Sequence, residues 1–267
     1  MLLDGRLGVN LSIYKPLWVL SMLLASGSAA AAAQTGNLPH LGCVADVYPP
    51  FTLQSGGVVS GLAVDTLVEA GKRAGLDITV KVLPFARIDN ELKRGAASGV
   101  ACAYAFSRTP ERENYMLFGS VPVSVTSYVL YAKAARSNVA YTGMDALQGA
   151  RIGVRLAFRV PEAIKQAAER GDITLETVND DEFNFRKLKL GRVDYVLTNQ
   201  DVGETMLRRL QLADVKALRP AVEEFPTFVV FNKGLENAAA WRDALDKGMQ
   251  AVRGTRAEQR IRELYLR

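Results

Sequence analysis

The sequence predicts an α/β fold built on a mostly parallel sheet. Short apolar runs alternate with helical stretches along most of the chain, several helical stretches stop at a glycine, and a strand-like run follows within a few residues. The 267 residues are 49% hydrophobic and 23% charged, which is too apolar for a disordered chain and sufficient for one large or two medium domains.

Residues 41–45 read as the first strand, and residues 58–61 as a short apolar run among turn glycines. Asp65 stands as the N-cap of a helix in which Val64, Leu67, Val68 and Ala74 fall near helical spacing, with Gly75 as its stop. Residues 77–83 alternate polar and apolar, as a half-buried strand does, and Pro84 ends them. Residues 87–94 read as a helix closed by Gly95, and 100–105 as a strand. The grammar then repeats with strands at 128–132, 151–156, 175–178, 193–198 and 227–232. Between them lie helices at 144–149, 161–170 (Pro161 near its first turn), 181–190 and 202–210, and two helices close the chain at about 238–252 and 256–266. The run 91–95 before one strand echoes 187–191 before another, as two halves of similar local grammar would.

Residues 1–33 read as an export signal. Arg6 and Lys15 supply positive charge, residues 17–25 form an apolar core, and small residues lead to Ala31-Ala32-Ala33. The apolar core is short for a membrane span. Cleavage after Ala33 would deliver a protein starting at Gln34 to a bacterial periplasm. That compartment is oxidising, so Cys43 and Cys102 can pair there; both also sit in apolar strand-like runs, where buried free thiols are the alternative.

Composition excludes several classes. The net charge of +5 comes from 33 Lys+Arg against 28 Asp+Glu without a dense basic block, so no nucleic acid partner is expected. One histidine, His40, rules out a His-rich zinc site and leaves a Ser-His-Asp triad possible only through that residue. Two cysteines cannot build a Cys-only metal site. Glycine-rich phosphate loops, a G-x-S-x-G elbow and an H-E-x-x-H pair are all missing, and no cofactor is expected.

Several segments, in order, carry a resemblance. They are Asp46-Val47-Tyr48-Pro49-Pro50-Phe51 with Gly61-Leu62-Ala63-Val64-Asp65; Pro84-Phe85 with Arg87, Leu92 and Gly95; Ser107-Arg108-Thr109-Pro110-Glu111-Arg112 with residues 118–122; residues 147–154; and Gly191-Arg192-Val193-Asp194-Tyr195. Together they resemble the bacterial family 3 extracellular solute-binding proteins, the receptors of amino-acid-type ABC importers. The resemblance implies a two-lobed, type II periplasmic-binding-protein-like fold. Each lobe would be a mostly parallel sheet flanked by helices, with two crossover strands as the hinge. Lobe one would hold residues 37–124 and 233–267, and lobe two residues 125–232. It also implies a non-catalytic monomer whose partners are a small-molecule ligand and the membrane permease of an ABC importer, or a membrane sensor in its place.

By the same resemblance Arg112 matches the arginine that holds a ligand carboxylate, a task suited to a bidentate fork that keeps its charge. The alternative is an ion pair with Glu111 or Glu113. Ser107 matches a ligand-bonding hydroxyl, and Tyr48 an aromatic that packs on the ligand, with Phe51 beside it. Tyr104 and Phe106 extend that wall. The turn that usually carries small hydroxylated residues is here Ala157-Phe158-Arg159. The acid that usually holds an amino group falls near Asn199, with Asp201 two residues on. Phe158, Arg159, Asn199 and Asp201 therefore complete the expected site, and they fit a small anionic or aromatic-bearing solute better than a standard zwitterionic α-amino acid. An enzyme on this fold, such as a periplasmic dehydratase resembling cyclohexadienyl dehydratase, would need a general acid, for which only Asp46 or Asp201 is placed.

Overall fold

A computed structural model describes residues 39–134 and 140–266. The export signal expected over residues 1–33 lies outside the described residues. The largest element is a nine-stranded sheet, ordered β4-β1-β5-β11-β6-β9-β7-β8 with β10 also paired to β6. Its strands are β1 (His40–Ala45), β4 (Asp77–Val82), β5 (Cys102–Ser107), β6 (Met116–Lys133), β7 (Arg151–Arg155), β8 (Thr174–Val178), β9 (Tyr195–Asn199), β10 (Val215–Ala217) and β11 (Glu223–Asn232). A small hairpin, β2 (Leu53–Ser55) with β3 (Val58–Ser60), stands apart.

The predicted α/β class holds. β1 pairs in parallel with β4 and β5, and β7 pairs in parallel with β8 and β9. The centre is different: the three pairings β5–β11, β11–β6 and β6–β9 are antiparallel. Two long strands, β6 and β11, therefore join two parallel flanks. Sequence alternation located only the last part of β6, because Gly119, Pro122 and the hydroxyl residues Ser120, Ser124, Thr126 and Ser127 interrupt its apolar pattern. Pro122 sits where the β11 register slips, between Thr227 and Phe228, as a ring without an N–H requires.

Helices cover the sheet, and their ends follow the sequence with small shifts. The helix Leu62–Ala74 starts after Gly61, so Asp65 is a first-turn residue and not the cap; its carboxylate there complements the helix N-terminus and accepts from the Tyr265 hydroxyl at 2.6 Å. Pro84 starts the next helix at Phe85, two residues earlier than periodicity indicated. The echoed Gly95 and Gly191 both take left-handed backbone (φ +65° and +69°) just past helix ends, the conformation glycine adopts without a Cβ clash.

Cys43 and Cys102 lie opposite each other in the β1–β5 register, both buried, and are joined by a disulfide. His40 bonds Asp77 and Thr79 at the exposed start of β1, at the other end of that strand from the cavity described below. Among the described residues no group of three or more His, Cys, Asp or Glu side chains could hold a metal, and no helix is long and apolar enough to cross a membrane.

Candidate functional site

The carboxyl ends of β1, β5 and β9 and the turn after β7 converge on one cavity, where parallel sheets place ligands. Its free interior is about 60 Å3, room for a few water molecules. Eight aromatic side chains stand in its wall.

The turn after β1 closes on itself: the Tyr48 and Thr52 amides each donate to the other residue's carbonyl at 3.0 Å. This seats Tyr48 in the wall and buries Phe51 beneath it, their ring centres 5.9 Å apart. The amides of Leu62 and Ala63, in the first turn of their helix, donate to the carbonyls of Pro50 and Phe51, bracing the turn from behind. Tyr104 is buried and shares a 2.6 Å hydrogen bond with the Thr52 hydroxyl. Its hydroxyl therefore ties β5 to that turn. Phe106 stacks on Phe85 at 4.9 Å, and Phe158 reaches across from the β7 side to touch both Tyr48 (5.2 Å) and Phe85 (4.5 Å).

Arg112 sits in a short helix, Pro110–Glu113, capped by the Thr109 side chain, which accepts from the Arg112 amide. Its guanidinium lies 5.1 Å from the Phe106 ring centre and 5.7 Å from that of Phe85. One nitrogen, Nη1, donates to the Ser107 hydroxyl (2.8 Å) and carbonyl (3.1 Å). The surface ion pair is not made: Glu111 pairs with Lys93 and Glu113 with Arg108. Among the described residues no carboxylate lies within ion-pair reach of Arg112. It is a cation in a largely apolar wall with donors to spare.

Arg159 differs. Glu223 at the start of β11 clasps its fork with two short bonds, 2.5 and 2.6 Å, and Phe225 lies beneath at 4.5 Å. Arg159 lines the cavity, but its charge is already matched. Asn199 is buried in the wall, and its side-chain oxygen accepts from the amides of Asp201 and Val202. It is the cap of the helix Gln200–Leu210. Asp201 is corrected here: it is exposed in the first turn of that helix and does not line the cavity, because Asn199 takes the inward position. The other nine expected residues, Tyr48, Phe51, Tyr104, Phe106, Ser107, Arg112, Phe158, Arg159 and Asn199, all line it.

Sequence reading did not place Arg155. Only 7% exposed, it ends β7 and donates to Asp46 (2.7 Å), to the Val47 and Asn179 carbonyls (3.0 Å each) and to Asp181 (3.5 Å). Its guanidinium also lies 5.2 Å from the Tyr48 ring and 4.7 Å from that of Phe158. A charged residue closing the apolar run Ile152-Gly153-Val154 was the available signal. Burial pushes the Asp46 carboxyl up to about 6, against the pull of Arg155. Burial raises Asp181 as well, again opposed by Arg155. Asp46 is the one acid among the described residues that line the cavity. Backbone tension gathers nearby: Ala105 and Ala157, beside the wall aromatics, both have left-handed φ, +63° and +62°.

Known proteins share this fold. The chain is 22% identical over 211 residues to the "Probable amino-acid-binding protein YxeM" of Bacillus subtilis (strain 168), covering 79% of this chain and 78% of that one. In fold it is similar to an ancestral arginine-binding protein bound to arginine, with a TM-score of 0.72, 19% identity, and coverage of 87% of this chain and 99% of that one. It is also similar to a histidine kinase sensor domain with similarity to periplasmic binding proteins (TM-score 0.69, 18% identity, 85% and 95% coverage). The profile of the bacterial extracellular solute-binding proteins, family 3, matches residues 42–267. With that match spanning nearly all of its described residues, the chain belongs to the bacterial extracellular solute-binding proteins, family 3.

Proposed function

We propose that this protein is a non-catalytic periplasmic receptor that captures a small carboxylate-bearing solute, an amino acid or a related compound, and delivers it to the permease of an ABC importer. The observation that carries the reading is Arg112: a guanidinium fixed by Ser107 and two rings, facing an aromatic cavity, with no acid partner among the described residues. A ligand carboxylate supplies the missing counter-charge in the bidentate geometry that arginine prefers. The relatives named for amino acids and arginine support the same class. In this reading the two flanks of the sheet are lobes, residues 37–124 with 233–267 and residues 125–232, and β6 and β11 are the hinge. Ligand contacts to both lobes favour closure by as much as they differ between open and closed forms.

A thermal-shift screen tests it. The purified protein is unfolded and refolded to strip bound solute, then offered amino acids, opines, organic acids, aromatic acids and polyamines. Binding at one hundred times the dissociation constant adds about 2.7 kcal/mol, a shift of about 5–11 degrees. A carboxylate hit that disappears in Arg112→Ala, with the ligand-free melting point held, supports the assignment. A hit that survives the substitution within a few-fold defeats it.

Two other readings each have an observation behind them. The similarity to a sensor domain favours handing the closed form to a membrane sensor; permease and ATPase genes beside this one would oppose it. Asp46, an acid in the cavity wall with a raised pKa, favours an enzyme. Turnover of prephenate or arogenate that is lost in Asp46→Asn would establish that reading.

A further inference from the structure

We propose that the solute this cavity takes is a small monocarboxylate with a flat apolar body and no ammonium group. The inference rests on the receptor reading above and narrows it.

A zwitterionic amino acid needs two matched charges, and the wall offers one. Arg112 is free to pair with a carboxylate. An ammonium would need an acid. Asp46, the only acid among the described residues that line the cavity, gives its carboxylate to Arg155 at 2.7 Å. Asp181 lies behind the same guanidinium and is only 3% exposed. Glu223 is bound through both oxygens to Arg159. Asn199 stands in the wall as a neutral amide whose oxygen is already used by two helix amides.

A cation also finds the aromatic faces partly taken. Arg155 lies over Tyr48 and Phe158, Arg112 over Phe85 and Phe106, and Arg159 over Phe225. Cation–π capture of an ammonium would compete with guanidinium groups held in place by two or more hydrogen bonds each. Several of the wall hydroxyls are already engaged: Ser124 bonds Thr227, Thr52 bonds Tyr104, and Ser107 bonds Arg112. Burying an unpaired ammonium among these rings is unfavourable, whereas a flat apolar body gains ring contact.

Calorimetric titration of the stripped protein with a matched pair tests this. Phenylacetate and L-phenylglycine differ by one ammonium group; N,N,N-trimethylglycine and L-arginine serve as further probes. Phenylacetate is expected to bind at least tenfold more tightly than L-phenylglycine, and its binding to be lost in Arg112→Gln. Asn199→Asp keeps a good helix cap and adds a carboxylate to the wall, so it is expected to narrow that ratio. Equal or tighter binding of L-phenylglycine, or of N,N,N-trimethylglycine, overturns the inference, as does a ratio that Asn199→Asp leaves unchanged. If L-arginine or another amino acid binds best and Arg112→Gln abolishes it, the carboxylate receptor stands and the ammonium-free ligand falls. If no carboxylate of either kind binds, both fall.

Discussion

Arg155, at the end of β7, donates to Asp46, just past the end of β1, at 2.7 Å, and so joins the two parallel flanks of the sheet by a route other than β6 and β11. Its remaining N–H groups reach the Val47 and Asn179 carbonyls and Asp181. A buried guanidinium with this many acceptors cannot be removed cleanly, because Asp46 and Asp181 would be left without their cation. Arg155→Ala is therefore expected to destabilise the protein by about 3–5 kcal/mol, read as a lowered midpoint in denaturant at unchanged slope. Arg155→Lys is expected to recover part of this, since a point charge cannot span four acceptors. A loss under about 1 kcal/mol for Arg155→Ala would mean that the pair is not formed in solution.

Asp46 also sets a pH dependence. Its carboxyl titrates near 6 in the folded protein against an ordinary value of 3.8, mainly through burial. Between those values the folded chain holds a proton that the unfolded chain has lost. The contribution is full below about 3.8 and disappears as pH rises through 6, falling by at most about 3 kcal/mol. Asp181 shifts in the same direction. Comparing wild type with Asp46→Asn at pH 4, 5, 6 and 7 isolates the term: wild type loses stability relative to the variant across this range. A constant difference would show that Asp46 is not raised.

The disulfide carries a separate expectation. Cys43 and Cys102 are 59 residues apart and bonded between adjacent buried strands. Closing a loop of that length in the unfolded chain is worth about 4 kcal/mol by chain entropy. A reductant strong enough to open it, or the double substitution Cys43→Ala with Cys102→Ala, is expected to lower the melting point by about 8–16 degrees, with ligand binding retained when the protein is held well below its midpoint. Mass spectrometry showing two free thiols in protein taken from an oxidising compartment would contradict the bond.

What could be read in advance follows from where the information lies. Helix stops at Gly75 and Gly191, and the alternation of residues 77–82, are local signals, and they placed their elements closely. The first part of β6 was illegible because its register is fixed by β11, more than one hundred residues away, and not by its own pattern. In the site, single residue types were legible and pairings were not. Arg112 and Arg159 look alike in sequence. Only the fold shows that Glu223 neutralises one and that nothing described neutralises the other. Asn199 and Asp201 were similarly ambiguous until the helix cap decided which one points inward.

The brace behind the aromatic wall gives a last prediction. Gly61 has φ +128°, and a Cβ placed on it would lie 2.4 Å from the Phe51 carbonyl oxygen and 3.0 Å from the Thr52 Cα. The glycine thus lets the helix Leu62–Ala74 begin hard against the turn that carries Tyr48 and Phe51, with the Leu62 and Ala63 amides donating into it. Both the dihedral and the contact forbid a side chain, and the clashing atoms are backbone, which cannot swing away. Gly61→Ala is expected to cost more than about 1 kcal/mol and to weaken ligand binding beyond the loss of folded protein, because the displaced turn moves Tyr48 and the Thr52–Tyr104 hydrogen bond. Gly57→Ala is the control: it also has positive φ, +81°, but a Cβ there meets nothing within 4 Å, so it carries dihedral strain without the clash. Equal effects of the two substitutions on affinity would show that the close approach at Gly61 does not shape the wall.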